Sequence, residues 1–171
     1  MMPRIVLLGL VVLSLGACKA EDLGDRTTIV CPDRAVFMEH VSELMERRCG
    51  TLDCHGSDYR PMRLYGELGL RHSSELNRSG GNATTVFERF ANYLAVCSVQ
   101  PEKTADVALD PAGQAVNQLL LVLKGRGKEG HKGGKVFNPF DDADLCVVGW
   151  LRGDHVNSVR QACEAALARL P

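Results

Sequence analysis

Seven cysteines, Cys18, Cys31, Cys49, Cys54, Cys97, Cys146 and Cys163, constrain this 171-residue chain more than any other feature. A reducing cytosol rarely holds so many without metal or catalytic use, so the pattern points to an oxidising compartment. Seven is odd, and at least one thiol must do something other than pair. The length fits one domain, and 45% hydrophobic with 24% charged residues suits a packed core rather than disorder. A formal net charge of -1 argues against a nucleic-acid partner, because such proteins need excess Lys and Arg to displace counterions from phosphates.

The N-terminus accounts for the odd cysteine. Arg4 precedes the apolar run Ile5 to Leu15, which is short of the about 20 residues a membrane span needs and fits the core of a signal peptide. Leu15-Gly16-Ala17-Cys18 resembles the lipobox of bacterial lipoproteins, in which the cysteine thiol receives a diacylglycerol and becomes the new N-terminus. The expected organisation is a signal peptide over 1–17, a lipid-anchored tether over 18–30 and one domain over 31–171. Two or more acyl chains give stable anchoring, so the protein should sit on a membrane without crossing it. By analogy with enterobacterial lipoproteins, Lys19 in place of an Asp weakly favours the outer membrane.

The rest of the chain reads as all-α with long loops. Phe37, Val41, Leu44 and Arg48 follow helical spacing from Pro32 to Arg48. Thr85 and Glu88 form a capping-box pattern for a helix to about Val96, with Val86, Phe87, Phe90 and Leu94 as its expected apolar face. Pro101 should end that region. Asp110-Pro111 reads as the start of a helix running to Gly125, followed by a glycine-rich basic loop to Pro139. A further helix should start at Asp141, carry Trp150 and stop at Gly153; the last should span Asn157 to Leu170, with Val159, Cys163, Ala166 and Leu170 on one face. The glycines of the loop do not make a phosphate cradle, since the strand-then-helix setting and the Lys-Ser/Thr ending are missing.

Cys49-Gly50-Thr51-Leu52-Asp53-Cys54-His55-Gly56 carries the chemistry. Two cysteines just before a histidine suit covalent attachment of c-type haem: the thiols add to porphyrin vinyl groups as thioethers and the imidazole is brought to the iron. Four residues separate the cysteines, against the common two. The other nitrogen of the His55 ring should then donate to a backbone carbonyl or a carboxylate. Two alternatives stay open: a local Cys49–Cys54 disulfide with His55 merely adjacent, and half of a zinc site, which lacks a second Cys/His pair.

The segment resembles the cytochrome c family, whose pattern is an amphipathic helix, a Cys-x-Cys-His-Gly-type segment, and late in the chain a His-x-Gly-Gly loop before a helix holding a Trp. Here those elements are Phe37 to Arg48, Cys49 to Gly56, His131-Lys132-Gly133-Gly134, and Asp144 to Gly153 with Trp150. The resemblance implies an all-α, cytochrome c-like domain with haem c (iron) as cofactor, Cys49 and Cys54 as thioether anchors, His55 as proximal ligand and His131 as distal ligand. Met62 is too near His55 in sequence to reach the opposite face, and Met38 and Met45 fall on the first helix. His72 is the second choice; His40 and His155 are expected to have no ligand role.

Four cysteines remain, Cys31, Cys97, Cys146 and Cys163, with three possible connectivities. Because the N- and C-terminal helices pack together in cytochromes c, the resemblance implies Cys31 with Cys163 and Cys97 with Cys146. No Ser/His/Asp set and no paired carboxylates suggest substrate chemistry, so the expected role is an electron carrier or electron-transfer subunit in the cell envelope. Its partners would be a membrane, through Cys18, and a redox protein, which the basic residues between Lys124 and Lys135 could contact if they do not face a haem propionate or simply water. The alternative is a haem-free, disulfide-stapled envelope lipoprotein with a binding or structural role.

Overall fold

The computed structural model describes residues 30–72 and 82–170. The expected signal peptide, the lipidation site Cys18 and all of the tether before Val30 lie outside these residues. Arg34–Val36 is α-helical, Phe37–Val41 makes a π turn and Ser42–Cys49 is α-helical again. The three run on without a break and form α1. Val86–Cys97 is α2, Pro101–Leu109 α3, Leu120–Gly125 α4, Asp142–Arg152 α5 and Val156–Ala168 α6, with a 3-10 turn at Ala115–Gln118. Among the described residues no strand forms beyond an isolated bridge between Tyr65 and Leu70. The chain is all-α, as its periodicity predicts.

Helix ends follow local chemistry. The Asp33 carboxylate caps α1 by accepting from Val36 N at 2.9 Å, and Asp141 caps α5 by accepting from Asp144 N at 2.9 Å. Gly153 leaves α5 in the left-handed region, at φ 72°, where glycine has no Cβ to clash. Two expectations fail here. Pro101 does not end a region but opens α3 from its first turn, where a missing N–H costs nothing. Asp110-Pro111 starts no helix, since Asp110 is the residue on which α3 stops; the chain then needs a 3-10 turn and an extended Leu119 before α4 begins.

The core is built from α1, α5 and α6. Phe37, with no exposed surface, packs against Trp150 at a ring-centroid distance of 4.8 Å and Tyr93 at 5.7 Å. The Trp150 indole donates to Asp33 O at 2.8 Å, so the buried ring has its one polar atom satisfied. Val41 and Leu44 of α1, Val147 and Leu151 of α5, and Val159, Cys163 and Ala166 of α6 complete this centre.

The disulfide pairing implied by the resemblance is corrected. The same four cysteines pair, but as Cys31–Cys97 and Cys146–Cys163, with Cα–Cα distances of 5.8 and 4.8 Å. The tight turn at Gly153 folds α6 back along α5 and brings Cys163 opposite Cys146. Cys31, at the entrance to α1, is left beside the end of α2, where the Tyr93 hydroxyl donates to Pro32 O at 3.0 Å. In the chain-entropy account the loops closed stabilise by about 4 and about 3 kcal/mol respectively.

The buried face of α2 is also corrected. Thr85 and Glu88 do form the capping box. Val86, Phe87 and Leu94 are nevertheless exposed, by 74, 61 and 50%, while Glu88 and Asn92 are fully buried. Polar residues win this face because each is saturated by distant partners. Glu88 takes a bidentate pair of bonds from Arg71, both 2.9 Å, and further bonds from His72 N and Thr85 N. Asn92 accepts from Tyr65 N at 2.6 Å and donates to Tyr65 O at 2.8 Å. The helix thereby holds the segment before it, 57–72, against the body.

Burial alone would raise the Glu88 pKa, but the bonds from Arg71, Thr85 and His72 outweigh it and hold the carboxyl at about 2. A carboxylate so depressed contributes stability that is fully present above its unfolded pKa and is lost as pH falls through the folded one. Glu88→Gln leaves Arg71 buried without its counter-charge and should cost about 3–5 kcal/mol. Denaturant midpoints measured from pH 7 to 2 should show the difference between wild type and Glu88→Gln narrowing below about pH 4.5; a constant difference contradicts this account.

Candidate functional site

α1 delivers Cys49 in its last turn, and Gly50 N closes the helix on Met45 O and Glu46 O at 3.0 and 2.9 Å. The chain then folds back on itself: Cys54 N and Gly56 N both donate to Thr51 O, and His55 N donates to Cys49 O at 2.7 Å. The four residues between the two cysteines are thus used in one compact loop. Gly56 sits against the Gly50 carbonyl and the Gly69 backbone, where any Cβ would collide. Arg60 binds the loop from outside, donating to Asp53 O at 3.2 Å and Cys54 O at 3.3 Å.

His55 is tied twice to the following segment. Its Nδ1 lies 2.8 Å from Met62 O, and its own carbonyl accepts from Leu64 N at 2.8 Å, with the Leu64 side chain fully buried. A carbonyl can only accept, so Nδ1 carries the proton and Nε2 presents a lone pair. Burial lowers the His55 pKa, and the neighbouring His131 and Arg60 act in the same direction against the Met62 bond. The ring is therefore held neutral, as a ligand must be. The Met62 carbonyl is the expected acceptor for the second ring nitrogen, although no sequence signal singles out a particular backbone oxygen.

His131 comes from the far end of the chain. Its loop leaves the C-terminus of α4, where Lys128 N donates to Leu123 O at 2.8 Å, and returns to the same place, where Val136 N and Phe137 N donate to Gly125 O at 2.8 and 3.1 Å. Gly125 leaves room for the Phe137 ring, into which a Cβ would run. Arg126 at the base of the loop pairs with the buried Asp144 of α5 at 2.7 and 2.8 Å, so this member of the basic stretch is structural rather than free for a ligand. The His131 Nδ1 lies 2.9 Å from Gly134 O, which leaves its Nε2 with a lone pair as well.

The two imidazoles face each other across one space, with ring centroids 6.0 Å apart and planes inclined by 22°. Two rings that each bound one ion through a bond of about 2 Å would have centroids a similar distance apart. They line a cavity of about 830 Å³ whose other walls include Met45, Cys49, Cys54, Met62, Leu120 and Val136. The volume lies within the about 300–1,000 Å³ typical of cofactor pockets. His72 does not line it; it packs edge-on against Phe87 with centroids 4.7 Å apart.

Cys49 and Cys54 are free thiols, and both line the cavity. Burial, helped by nearby Cys54 and opposed by Arg48, pushes the Cys49 thiol up to about 12. It stays protonated at physiological pH, which does not suit a cysteine nucleophile. A thioether, being uncharged, has no such penalty. Among the described residues no group of three or more His, Cys, Asp or Glu side chains is arranged to hold a metal ion. Two thiols and two imidazoles on one lining are a set that would fit haem c. No protein-family model, curated protein or solved structure matches the chain.

The close contact at Gly56 generates a direct test of this loop. Gly56→Ala forces its new methyl into the Gly50 carbonyl and should cost about 1–3 kcal/mol, as overpacking does. The expected result is a lower thermal midpoint, while Gly130→Ala, whose Cβ would meet nothing within 4 Å, leaves it nearly unchanged.

Proposed function

We propose that this chain is a lipid-anchored, monohaem cytochrome c-like protein that transfers single electrons in the cell envelope. The observation that carries this reading is the convergence of Cys49, Cys54, His55 and His131 on one largely apolar cavity, with the imidazoles 6.0 Å apart. Haem c, when bound, supplies a one-electron iron couple. Cys49 and Cys54 would hold it through thioethers, and His55 and His131 would bind its iron. Met62 O fixes the ring of His55 and sharpens its basicity through the Nδ1 proton; Gly134 O does the same for His131.

Two histidine ligands favour a lower potential than a His/Met pair. Leu120, Leu121, Val136 and Phe137 give the site apolar walls, and Lys124 and Lys132 on its lining offer positive charge for carboxylates such as haem propionates. A membrane reached through Cys18, with the outer membrane favoured, and a redox protein would be the partners. The protein would be an electron carrier or an electron-transfer subunit rather than an enzyme with a substrate of its own.

Haem staining of the denatured protein, matured with the cytochrome c assembly machinery, tests the reading. Covalent haem survives the gel, and Cys49→Ser/Cys54→Ser should abolish the stain. An unstained wild type overturns the proposal in favour of a haem-free, disulfide-stapled lipoprotein. His131→Ala should convert a low-spin, six-coordinate spectrum to a high-spin one; an unchanged spectrum removes His131. Cys18→Ser should move the protein from the membrane fraction to the soluble one.

A further inference from the structure

The outer face of α2 is apolar although its inner face is polar. Val86, Phe90, Leu94 and Cys97 fall in one row along the helix, at i, i+4, i+8 and i+11, with Phe87 beside it. Val86, Phe87 and Leu94 are exposed and Phe90 is half-buried. Cys97, whose sulfur is bonded to Cys31, is the buried end of the row. From there the chain runs back along the helix: Pro32 O accepts from the Tyr93 hydroxyl, and the Arg34 guanidinium lies 5.8 Å from the centre of the Phe90 ring. Residues 31–34 thus enter the domain along this face.

Three large exposed apolar side chains on adjoining turns of one helix are more than scattered exposure, and a contiguous patch of this kind marks an interaction surface. Its chemistry is that of a helix lying at a lipid interface. The charged residues of α2 are Glu88 and Arg89. Glu88 is buried against Arg71, so the helix shows solvent no carboxylate. Arg34 presents a cation above an aromatic ring, which places positive charge at the edge of the apolar row, where phosphate headgroups would lie. Its neighbour Asp33 is engaged in capping α1. Val30 comes twelve residues after Cys18, and even a fully extended chain puts it no more than about 43 Å from that thiol. Across so short a link a weak second contact is made at an effective concentration on the order of millimolar. The lipid surface is always within that reach, whereas a second copy of this chain must first diffuse to it.

We propose that the row of Val86, Phe87, Phe90 and Leu94 docks on the lipid surface to which Cys18 is anchored, with these side chains below the headgroups and Arg34 at the phosphates. This rests on the reading of Cys18 as a lipid anchor. The docking has a consequence for the cavity, which is lined by Ala95 of α2 and by Ser98 and Val99 just past its end. A domain seated on α2 holds the cavity at a fixed angle to the bilayer, where a tether alone would let it turn.

The test uses the lipidated protein, reconstituted in vesicles of phosphatidylethanolamine and phosphatidylglycerol with a diazirine on one acyl chain, irradiated, and mapped for label by mass spectrometry. Label over residues 86–94 should exceed that over α6 at least about five-fold, since only side chains inserted below the headgroups meet the probe. Phe87→Asp/Leu94→Asp should lower it to the level of α6 while the protein still floats with the vesicles. Leu109→Asp, at another exposed leucine, should leave it unchanged. A wild type that floats with the vesicles and shows no excess of label over 86–94 overturns the docking and leaves the anchor reading intact; a second copy on this face would give that result. Label that persists at the wild-type level in Phe87→Asp/Leu94→Asp also overturns the docking. A wild type that does not float overturns the anchor reading, and this inference with it.

Discussion

The packing of Phe37 between Tyr93 and Trp150 is the contact on which the rest of the molecule depends. It sets α1 against α2 and α5, and the Trp150 indole bond to Asp33 O fixes where α1 begins. Once the start and the buried face of α1 are fixed, so is the position at which Cys49 leaves its last turn. The loop from Gly50 to Gly56 then has little freedom, because His55 N must reach Cys49 O and Gly56 must pass the Gly50 carbonyl. A core made from three helices thus aims the histidine without contacting it. The same helix α5 supplies Asp144, which holds Arg126 and hence the base of the loop that carries His131. Both halves of the candidate site are referred to one rigid centre.

What could be read from the sequence were the features whose causes are local. The Thr85/Glu88 capping box, the stop at Gly153 and the Cys-x4-Cys-His segment each need only neighbours in sequence. The buried face of α2 did not yield to the same reasoning, because hydrophobic periodicity assumes that apolar residues go inside. Here Arg71 and the backbone of Tyr65, remote in sequence, satisfy Glu88 and Asn92, and that leaves Val86, Phe87 and Leu94 outside. The disulfides were misjudged for a related reason. The pairing drawn from family resemblance relied on which helices meet, whereas pairing depends on which residues oppose one another after the turn at Gly153.

The site itself was readable in its side chains and not in its supports. Cysteines and histidines stand out in a sequence; the carbonyls of Met62 and Gly134, which fix the tautomers of the two rings, do not. Those two oxygens decide that both Nε2 atoms are acceptors and not donors. Burial lowers the His55 pKa and raises that of the Cys49 thiol, which disfavours charge on both.

The two histidines are fastened differently because of where the chain makes its hydrogen bonds. His55 lies in a segment whose backbone is bonded on both sides to α1 and to buried Leu64, so displacing its ring means breaking the core's own connections. His131 lies beyond Gly125, where the backbone bonds return to α4 before and after the loop and bypass its tip. On an exposed glycine-rich loop, His131 is referred to the rigid core through the base of that loop, where Arg126 meets Asp144.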